Sequence, residues 1–289
     1  MSRRAPVAVT LAAAALLSPL TAVAQDAAAP SAETKPNDLL NAALWMQESV
    51  EYKANAVGIF AFAKARLDAA LTDKGASALD QSDAGDKPPA IIIDLDETAI
   101  DNSAYESGLV TTNADYSSKT WAEWVDAKQA KAVPGVLDYL GYADGKGVKI
   151  FYVSNRTADQ EEATRANMQA LGFPMGGNVD TFLMNKEKDG WGSDKEARRQ
   201  FVANEYRVVA MVGDNYGDFT KAAGGTAPER MAAFEKDQAH FTKDWFMLAN
   251  PTYGSWESTA FGNDYKLSAD QKRAMKQDAL EPWTPKAAQ

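Results

Sequence analysis

Short apolar runs alternate with helical patterns between residues 39 and 212, and this alternation is the strongest constraint on the fold. Four runs have the character of buried strands: residues 90–93 ("AIII"), 148–153 ("VKIFYV"), 181–184 ("TFLM") and 208–212 ("VVAMV"). Helical patterns cover residues 39–71, 134–143, 158–171 and 194–204, with Pro134 in a first turn and Gly172 as a C-cap. Continuous apolar strands between helices predict an α/β fold with a doubly wound, mostly parallel sheet.

Polar and charged residues stand directly after these strands or at the start of the next helix. Such sheets bind ligands outside the carboxyl ends of their strands, so we expect these side chains to meet at one edge. Each pattern alone is weak, because a single Asp-x-Asp or Gly-Asp-Asn is more often ordinary turn chemistry. Their occurrence at successive strand ends favours a site. Its candidate residues are Asp94, Asp96, Ser154, Lys195, Asp214 and Asp218.

Oxygen ligands without histidine or cysteine suit a hard cation such as Mg²⁺. A bound divalent cation would also offset the repulsion among the four carboxylates and keep them ionised. One carboxylate could then act as a nucleophile and form an aspartyl phosphate, while a neighbouring carboxyl acts as general acid and then as base. A lysine and a hydroxyl group would stabilise the transferring phosphoryl group.

The composition excludes several classes of site. The chain has one histidine, His240, and no cysteine, so a disulfide framework, a thiol nucleophile and a metal site with several histidine ligands are all excluded. The formal net charge of −10 argues against binding long nucleic acid, although it allows a small anionic substrate.

The first residues resemble a secretory signal. "MSRR" is a positive n-region, an apolar alanine-rich run follows, and "AVA" at residues 22–24 is a cleavage-site pattern. Residues 1–24 are therefore predicted to be a cleaved signal peptide and 25–38 a flexible leader, with a periplasmic or secreted product. A membrane anchor is the alternative, but the apolar run is short and Pro19 interrupts it.

The motifs "IIIDLDET", "FYVSNR", "DKEARR" and "VGDNYGDF" resemble the four motifs of the haloacid dehalogenase (HAD) superfamily. Within it, "DLDETAIDNSAY", "TWAEWVDAKQAKAVPG" and "NPTYGSWE" resemble the class C acid phosphatases, and the resemblance covers residues 39–275. It implies an acid phosphatase domain at 39–289. The α/β core would span about 88–225, and a smaller, mainly helical cap would comprise 39–87, 101–133 and 226–289. Lipoprotein members carry a lipidated cysteine that this chain lacks, so no membrane anchor is expected.

The resemblance also implies roles for individual residues. Asp94 would be the nucleophile, and Asp96 would protonate the leaving group and later activate water. Ser154 would hydrogen-bond the phosphoryl oxygens, and Lys195 would bridge the nucleophile and the phosphate. Asn155 is a weaker candidate for a phosphate contact.

The same resemblance implies an Mg²⁺ site. Asp94 and Asp214 would bind the ion directly, Asp96 would contribute its backbone carbonyl, and Asp218 would bind the ion or hold its surrounding ligands. Asn215 is a weaker candidate, and Thr98, two residues after Asp96, could orient that acid.

The resemblance further implies that aromatic residues stack on the substrate, and by position these would be Trp121 and Tyr253. Trp121 and Trp124 stand three residues apart, and aromatics at that spacing on a helix are more often core residues. Stacking would tolerate different nucleobases, so nucleoside monophosphates, aryl phosphates and sugar phosphates stay open as substrates. A phosphotransferase on the same site is one alternative. A nucleotide- or haem-binding surface protein, with His240 as axial ligand, is another. The family also makes a homodimer plausible.

Overall fold

The computed structural model describes residues 37–284, so the predicted signal peptide and most of the predicted leader lie outside the described residues. Within that range the chain forms ten α-helices and seven strands. The helices are α1 Leu40–Glu48, α2 Val50–Thr72, α3 Ser103–Thr112, α4 Ser118–Ala127, α5 Val136–Gly145, α6 Glu161–Leu171, α7 Glu196–Glu205, α8 Ala227–Asp237, α9 Ser255–Ala260 and α10 Ala269–Asp278. The strands are β1 Pro89–Ile93, β2 Ile100–Asp101, β3 Lys131–Ala132, β4 Lys149–Thr157, β5 Phe182–Asn185, β6 Arg207–Gly213 and β7 Trp245–Met247.

Five of the strands form one parallel sheet in the order β5-β4-β1-β6-β7. The central strand β1 therefore has β4 on one side and β6 on the other, and the chain reverses its direction of winding there. Ile93, the last residue of β1, pairs with Tyr152 and with Val212; β6 ends one residue later at Gly213, whereas β4 continues beside this edge to Thr157. This is the position at which open α/β sheets bind ligands.

Helices cover both faces of the sheet, which explains why β1 is apolar at every position. Ile91 and Ile93 belong to a core cluster with residues of α2 and α5, whereas Ala90 and Ile92 belong to a second cluster on the opposite face. Successive side chains of a strand point to opposite faces, so a strand buried on both sides has no polar alternation. The predicted doubly wound α/β fold is confirmed.

Several element boundaries differ from the sequence-based prediction. The single helix expected at 39–71 is two helices, because Ser49 has extended backbone and its hydroxyl accepts a hydrogen bond from Tyr52 N at the start of α2. Pro134 lies outside α5, whose N-cap is Gly135 with φ 91°. A side chain at Gly135 would meet the backbone of Val57 on α2, so this turn also lets α2 and α5 approach closely.

Two segments that the sequence-based boundaries assigned to the cap pack with the main sheet. Helix α2, assigned to the cap at 39–87, buries Phe60, Ala63 and Leu67 against the sheet. Strand β7, assigned to the cap at 226–289, is an edge strand of the main sheet. The segment 101–133 folds as two helices, α3 and α4, and its short strand β3 pairs with β2.

A buried arginine fixes the C-terminal end of α2. Arg207 on β6 donates through Nη1 to the carbonyls of Ala70, Asp73 and Ala76 at 2.8, 2.9 and 3.1 Å. These include carbonyls that a helix end leaves without partners, and the guanidinium satisfies them in the interior. Among the described residues, no helix is both long and apolar enough to span a bilayer.

Candidate active site

Lys195 joins two carboxylates that come from distant parts of the chain. Asp94 follows β1 directly, and its backbone N–H donates to the carbonyl of Val212 on β6 at 3.0 Å. The ammonium group of Lys195, the N-cap residue of α7, donates to Asp94 Oδ1 and to Asp218 Oδ1, the latter at 2.7 Å. All three side chains are buried.

The protonation equilibria of these groups reflect burial and mutual charge. Burial raises the pKa of Asp94 well above its ordinary value, Lys195 opposes that shift, and Asp218, Asp214 and Asp96 add to it. Burial by itself would lower the pKa of Lys195, but the carboxylates of Asp218 and Asp94 outweigh burial and raise it. Lys195 therefore stays an ammonium group that partly neutralises the carboxylates around it.

Asp214 is held at both carboxylate oxygens. Thr98 Oγ1 donates to Oδ1 at 2.9 Å, and Asn250 Nδ2 donates to Oδ2 at 2.8 Å. Burial, with repulsion from Asp218, raises the pKa of Asp214 to about 7 against the effect of these two hydrogen bonds. Thr98 was expected to orient Asp96, and this interpretation is wrong, because its hydroxyl bonds Asp214.

Carboxylate oxygens of Asp94, Asp214 and Asp218 lie within 4.8 Å of one another. The donor set consists of oxygen atoms alone, which fits a hard divalent cation, and such a cation would counteract the burial that raises the pKa values of Asp94 and Asp214. Asp96 contributes no carboxylate oxygen to this cluster.

The side chain of Asp218 leaves no room for a larger residue at Gly213. A Cβ at Gly213 would stand 2.3 Å from Asp218 Oδ2. Asp218 Oδ2 accepts a hydrogen bond from the backbone N–H of Asn215 at 2.9 Å. The Asn215 side chain accepts from Gly217 N at 3.1 Å and from Ser255 Oγ, so it stabilises this turn.

The carboxylate of Asp96 turns to other partners. Arg156 donates to Asp96 Oδ1 through Nη2 at 2.8 Å and through Nε at 3.0 Å. Asn102 Nδ2 donates to the same oxygen at 2.9 Å. The two aspartates of the "DLD" motif thus have separate surroundings: Asp94 faces Lys195 and the candidate cation site, whereas Asp96 faces a guanidinium.

Ser154 and Asn155 lie inside β4, which is longer than the predicted strand at 148–153. The buried Ser154 hydroxyl accepts from Arg156 N at 3.0 Å. Asn155 Nδ2 donates to the carbonyl of Ser193 at 3.0 Å, and its Oδ1 accepts from Arg198 Nη2 at 2.6 Å. Both residues lie on the strand beside β1. These hydrogen bonds join them to Arg156, Ser193 and Arg198 rather than to the carboxylate cluster.

Two buried arginines of α7 support the loops of the site. Arg198 donates to the carbonyls of Ser154 and Gly192, the latter at 2.8 Å. Arg199 donates to the carbonyls of Gly217 and Asp218 at 3.1 and 3.0 Å. Lys195 is the N-cap of the same helix. Helix α7 therefore positions the lysine together with Ser154 on β4 and the turn that contains Gly217 and Asp218.

A family model described as "HAD superfamily, subfamily IIIB (Acid phosphatase)" matches residues 7–256, which is most of the chain. The chain belongs to this family. The class C acid phosphatase of Bacillus anthracis, solved with tungstate bound, is 34% identical with a TM-score of 0.76, and the match covers 85% of this chain and 97% of that one. A second structure of that phosphatase gives the same values. The resemblance to the class C acid phosphatases is thereby confirmed.

Plant relatives are more distant. The stem 28 kDa glycoprotein of Glycine max is 24% identical over 132 residues, which cover 44% of this chain and 51% of that protein. A stem 31 kDa glycoprotein of Glycine max is 24% identical over 132 residues, covering 44% of each. The chain spans about half the length of the first of these curated relatives and less than half of the second.

In this subfamily IIIB acid phosphatase, the two predicted stacking residues both lie near Asp96. Arg156 lies between Asp96 and Trp121, with its Cζ 5.4 Å from the centre of the Trp121 ring. Trp121 also packs edge-on against Tyr105, with ring centres 5.2 Å apart. The Tyr253 hydroxyl donates to Glu97 Oε2, on the residue next to Asp96.

Glu97 is the most important residue that sequence reasoning missed. It is fully buried with φ 59°, and its Oε1 accepts from Asn102 N at 2.9 Å. Burial, with repulsion from Asp96 and Asp214, raises its pKa well above the ordinary value. Its position inside "DLDET" was the available signal, but an acid after Asp-x-Asp is usually exposed.

Three further residues of this phosphatase were not assigned roles from the sequence. Asn102 and Arg156 hold Asp96, and Asn250 holds Asp214. Each lies in a segment that carries the family resemblance, and only the folded contacts distinguish them from their neighbours. The single histidine, His240, bonds Asp244 at 2.7 Å and stacks on Trp245 with ring centres 4.5 Å apart, which accounts for it as a packed residue.

Proposed function

We propose that this protein is a secreted, Mg²⁺-dependent phosphomonoesterase that hydrolyses nucleoside monophosphates and other organic phosphomonoesters through an aspartyl-phosphate intermediate. The observation that carries this proposal is the contact of Lys195 with both Asp94 and Asp218, beside a third carboxylate, Asp214. Family membership and the tungstate-bound relative support it, because tungstate, like phosphate, is a four-oxygen anion.

In the first half-reaction, Asp94 is the nucleophile. A carboxylate oxygen of Asp94 attacks phosphorus, and the ester P–O bond breaks. The leaving alkoxide takes a proton from Asp96, which lies two residues from the nucleophile and is the acid nearest to it in the sequence. The products are an alcohol and a phosphorylated Asp94.

The second half-reaction reverses these roles. Asp96, now ionised, removes a proton from water as the water oxygen attacks phosphorus, and the bond between phosphorus and Asp94 breaks. Inorganic phosphate leaves, and both aspartates return to their starting states. Lys195 holds the attacking carboxylate and offsets negative charge on the phosphoryl oxygens, and Ser154 and Asn155 are proposed to hydrogen-bond those oxygens.

Asp94, Asp214, Asp218 and the carbonyl of Asp96 would hold the Mg²⁺ ion. When bound, the ion would neutralise charge on a phosphoryl oxygen and orient it for in-line attack. Thr98 and Asn250 fix the Asp214 carboxylate that would bind it.

Trp121 and Tyr253 are proposed to stack on the ring of the substrate's leaving group. Trp121 contacts Arg156, which holds Asp96, and Tyr253 contacts Glu97, which follows Asp96 in the chain. Stacking accepts any planar ring, so several nucleotides and aryl phosphates would be substrates.

Phosphate release from 5′-AMP, 3′-AMP and p-nitrophenyl phosphate, with Mg²⁺ and with EDTA, tests the proposal. We expect release that requires the metal and returns when Mg²⁺ is added after EDTA. A purified, folded protein that releases no phosphate from any of the three esters would refute a phosphomonoesterase. Equal release with EDTA would refute the metal requirement.

A further inference from the structure

Arg156 holds Asp96 from one side with two of its three nitrogen atoms. Nη2 and Nε both reach Asp96 Oδ1, and Nε is also 3.3 Å from Oδ2. The Arg156 side chain is 2% exposed, whereas that of Asp96 is 17% exposed. The carboxylate is therefore partly accessible to solvent, whereas the guanidinium that holds it is buried.

The guanidinium is itself fixed in place. Its Nη1 donates to Thr164 Oγ1 at 3.0 Å, and that hydroxyl donates to the carbonyl of Gln160 at 2.8 Å. Its Nη2 also donates to Asn102 Oδ1 at 3.2 Å. A planar donor group with every nitrogen engaged has little freedom to rotate, so it presents a preformed fork to the carboxylate.

Asn102 connects Asp96 and Arg156 to helix α4. Its Nδ2 reaches Asp96 Oδ1, and its Oδ1 accepts from Trp124 Nε1 at 2.8 Å as well as from Arg156. The Trp121 ring, one helical turn from Trp124, lies over the guanidinium. Asn102 and Arg156 thus orient Asp96 and also contact the two tryptophans of α4.

We propose that Arg156 is a positioning residue that fixes the Asp96 carboxyl in line with the leaving-group oxygen. The inference rests on the proposed function, in which Asp96 is the general acid. Proton transfer needs the acid within hydrogen-bond reach of the leaving oxygen, and small displacements of a reacting group are costly. An ion pair that served folding alone would affect all substrates equally.

Substrates with different leaving groups distinguish a positioning role for Arg156 from a role in folding alone. An alkoxide leaving group, such as the ribose oxygen of 5′-AMP, needs protonation as the P–O bond breaks, whereas p-nitrophenolate leaves readily without it. For Arg156→Gln we expect kcat/KM, which reports the steps up to release of the alcohol, to fall about 100-fold on 5′-AMP and less than about 10-fold on p-nitrophenyl phosphate. Arg156→Lys keeps the charge without the fork, so we expect it to recover part of the loss on 5′-AMP.

Asp96→Asn is the reference, because it removes the proposed acid itself and should show the same preference for the good leaving group. If Arg156 acts through Asp96, adding Arg156→Gln to Asp96→Asn should change kcat/KM on 5′-AMP by less than about threefold. The matched control is Arg165→Gln on α6, which removes a partly exposed arginine paired with Glu161 and Asp180 and should leave both rates unchanged.

Equal losses on both esters, or full additivity with Asp96→Asn, would overturn the inference. If Arg156→Gln does not fold, as judged by circular dichroism, the ratio of kcat/KM on the two esters in Arg156→Lys decides. A shift toward p-nitrophenyl phosphate supports positioning, and an unchanged ratio overturns it. A wild-type protein that is inactive on both esters would instead refute the proposed function.

Discussion

Thr98 Oγ1 lies 2.9 Å from Asp214 Oδ1, although 116 residues separate the two in the chain. The hydroxyl is buried, and it fixes one oxygen of a proposed metal ligand while Asn250 fixes the other. For Thr98→Val, which keeps the shape and removes the donor, we expect the Mg²⁺ concentration for half-maximal activity to rise about 10-fold.

Titration calorimetry of Mg²⁺ without substrate checks this expectation independently of catalysis. At saturating Mg²⁺ the variant should approach wild-type kcat, because Thr98 touches no reacting atom. Thr111→Val, which removes an exposed hydroxyl near the end of α3, serves as the control. Unchanged Mg²⁺ affinity in Thr98→Val would show that the Thr98 hydroxyl does not hold Asp214 for the ion.

Gly213→Ala should disable the site through Asp218. The new Cβ would overlap Asp218 Oδ2, Cβ and Cγ at 2.3, 2.5 and 2.7 Å, so Asp218 must move away from Lys195. We expect kcat/KM to fall at least about 100-fold, since misplacement by about 1 Å has this effect on catalysis. Gly141→Ala on α5, where a Cβ meets open space, should keep full activity.

Asp94→Asn tests the nucleophile. The amide can occupy the same space beside Lys195 but cannot form the acyl phosphate, so kcat should fall by about 10⁴-fold or more. Circular dichroism and thermal melting should still show a folded chain. Asp138→Asn, which breaks an exposed pair with Lys64, is the matched control. Near-normal turnover in Asp94→Asn would require another nucleophile.

Glu106 on α3 gives stability a pH dependence. Burial, with repulsion from Glu257, raises its pKa from 4.5 to about 7. Between these two values the folded chain keeps a proton that the unfolded chain has released, so the contribution of Glu106 to stability falls as pH rises through this window. Glu106→Gln should therefore leave stability unchanged near pH 4 and increase the free energy of unfolding by roughly 3 kcal/mol at pH 8.

Urea unfolding at both pH values measures that difference. Glu235→Gln, an exposed position on α8, should shift neither curve. A gain in stability that is the same at pH 4 and pH 8 would show that the ionisation of Glu106 is not its cause.

The sheet and the positions of the aspartates follow from the sequence for a physical reason. Strands such as β1 and β6 are buried on both faces, so they are continuous apolar runs, and polar residues can only begin where the strand leaves the core. Asp94 and Asp214 mark those points. The parallel arrangement then brings both ends to one edge.

The contacts that orient the aspartates could not be derived in this way. Arginine is usually exposed, and only the folded chain shows that Arg156, Arg198 and Arg207 are buried and donate hydrogen bonds to neighbouring groups. Strand β7 is three residues long and has no period to detect. The break at Ser49 depends on a local cap that competes with an otherwise continuous helical pattern.

The place of β1 between β4 and β6 also determines when the site can form. Both neighbours follow β1 only after long intervening segments, so the strand that carries Asp94 stays unpaired until distant parts of the chain have been brought together. Contacts of this kind slow folding, because the chain loses entropy before the pairing stabilises it. On refolding from denaturant, we expect Lys195 to meet Asp94 and Asp218 late, so that recovery of activity follows the slowest phase.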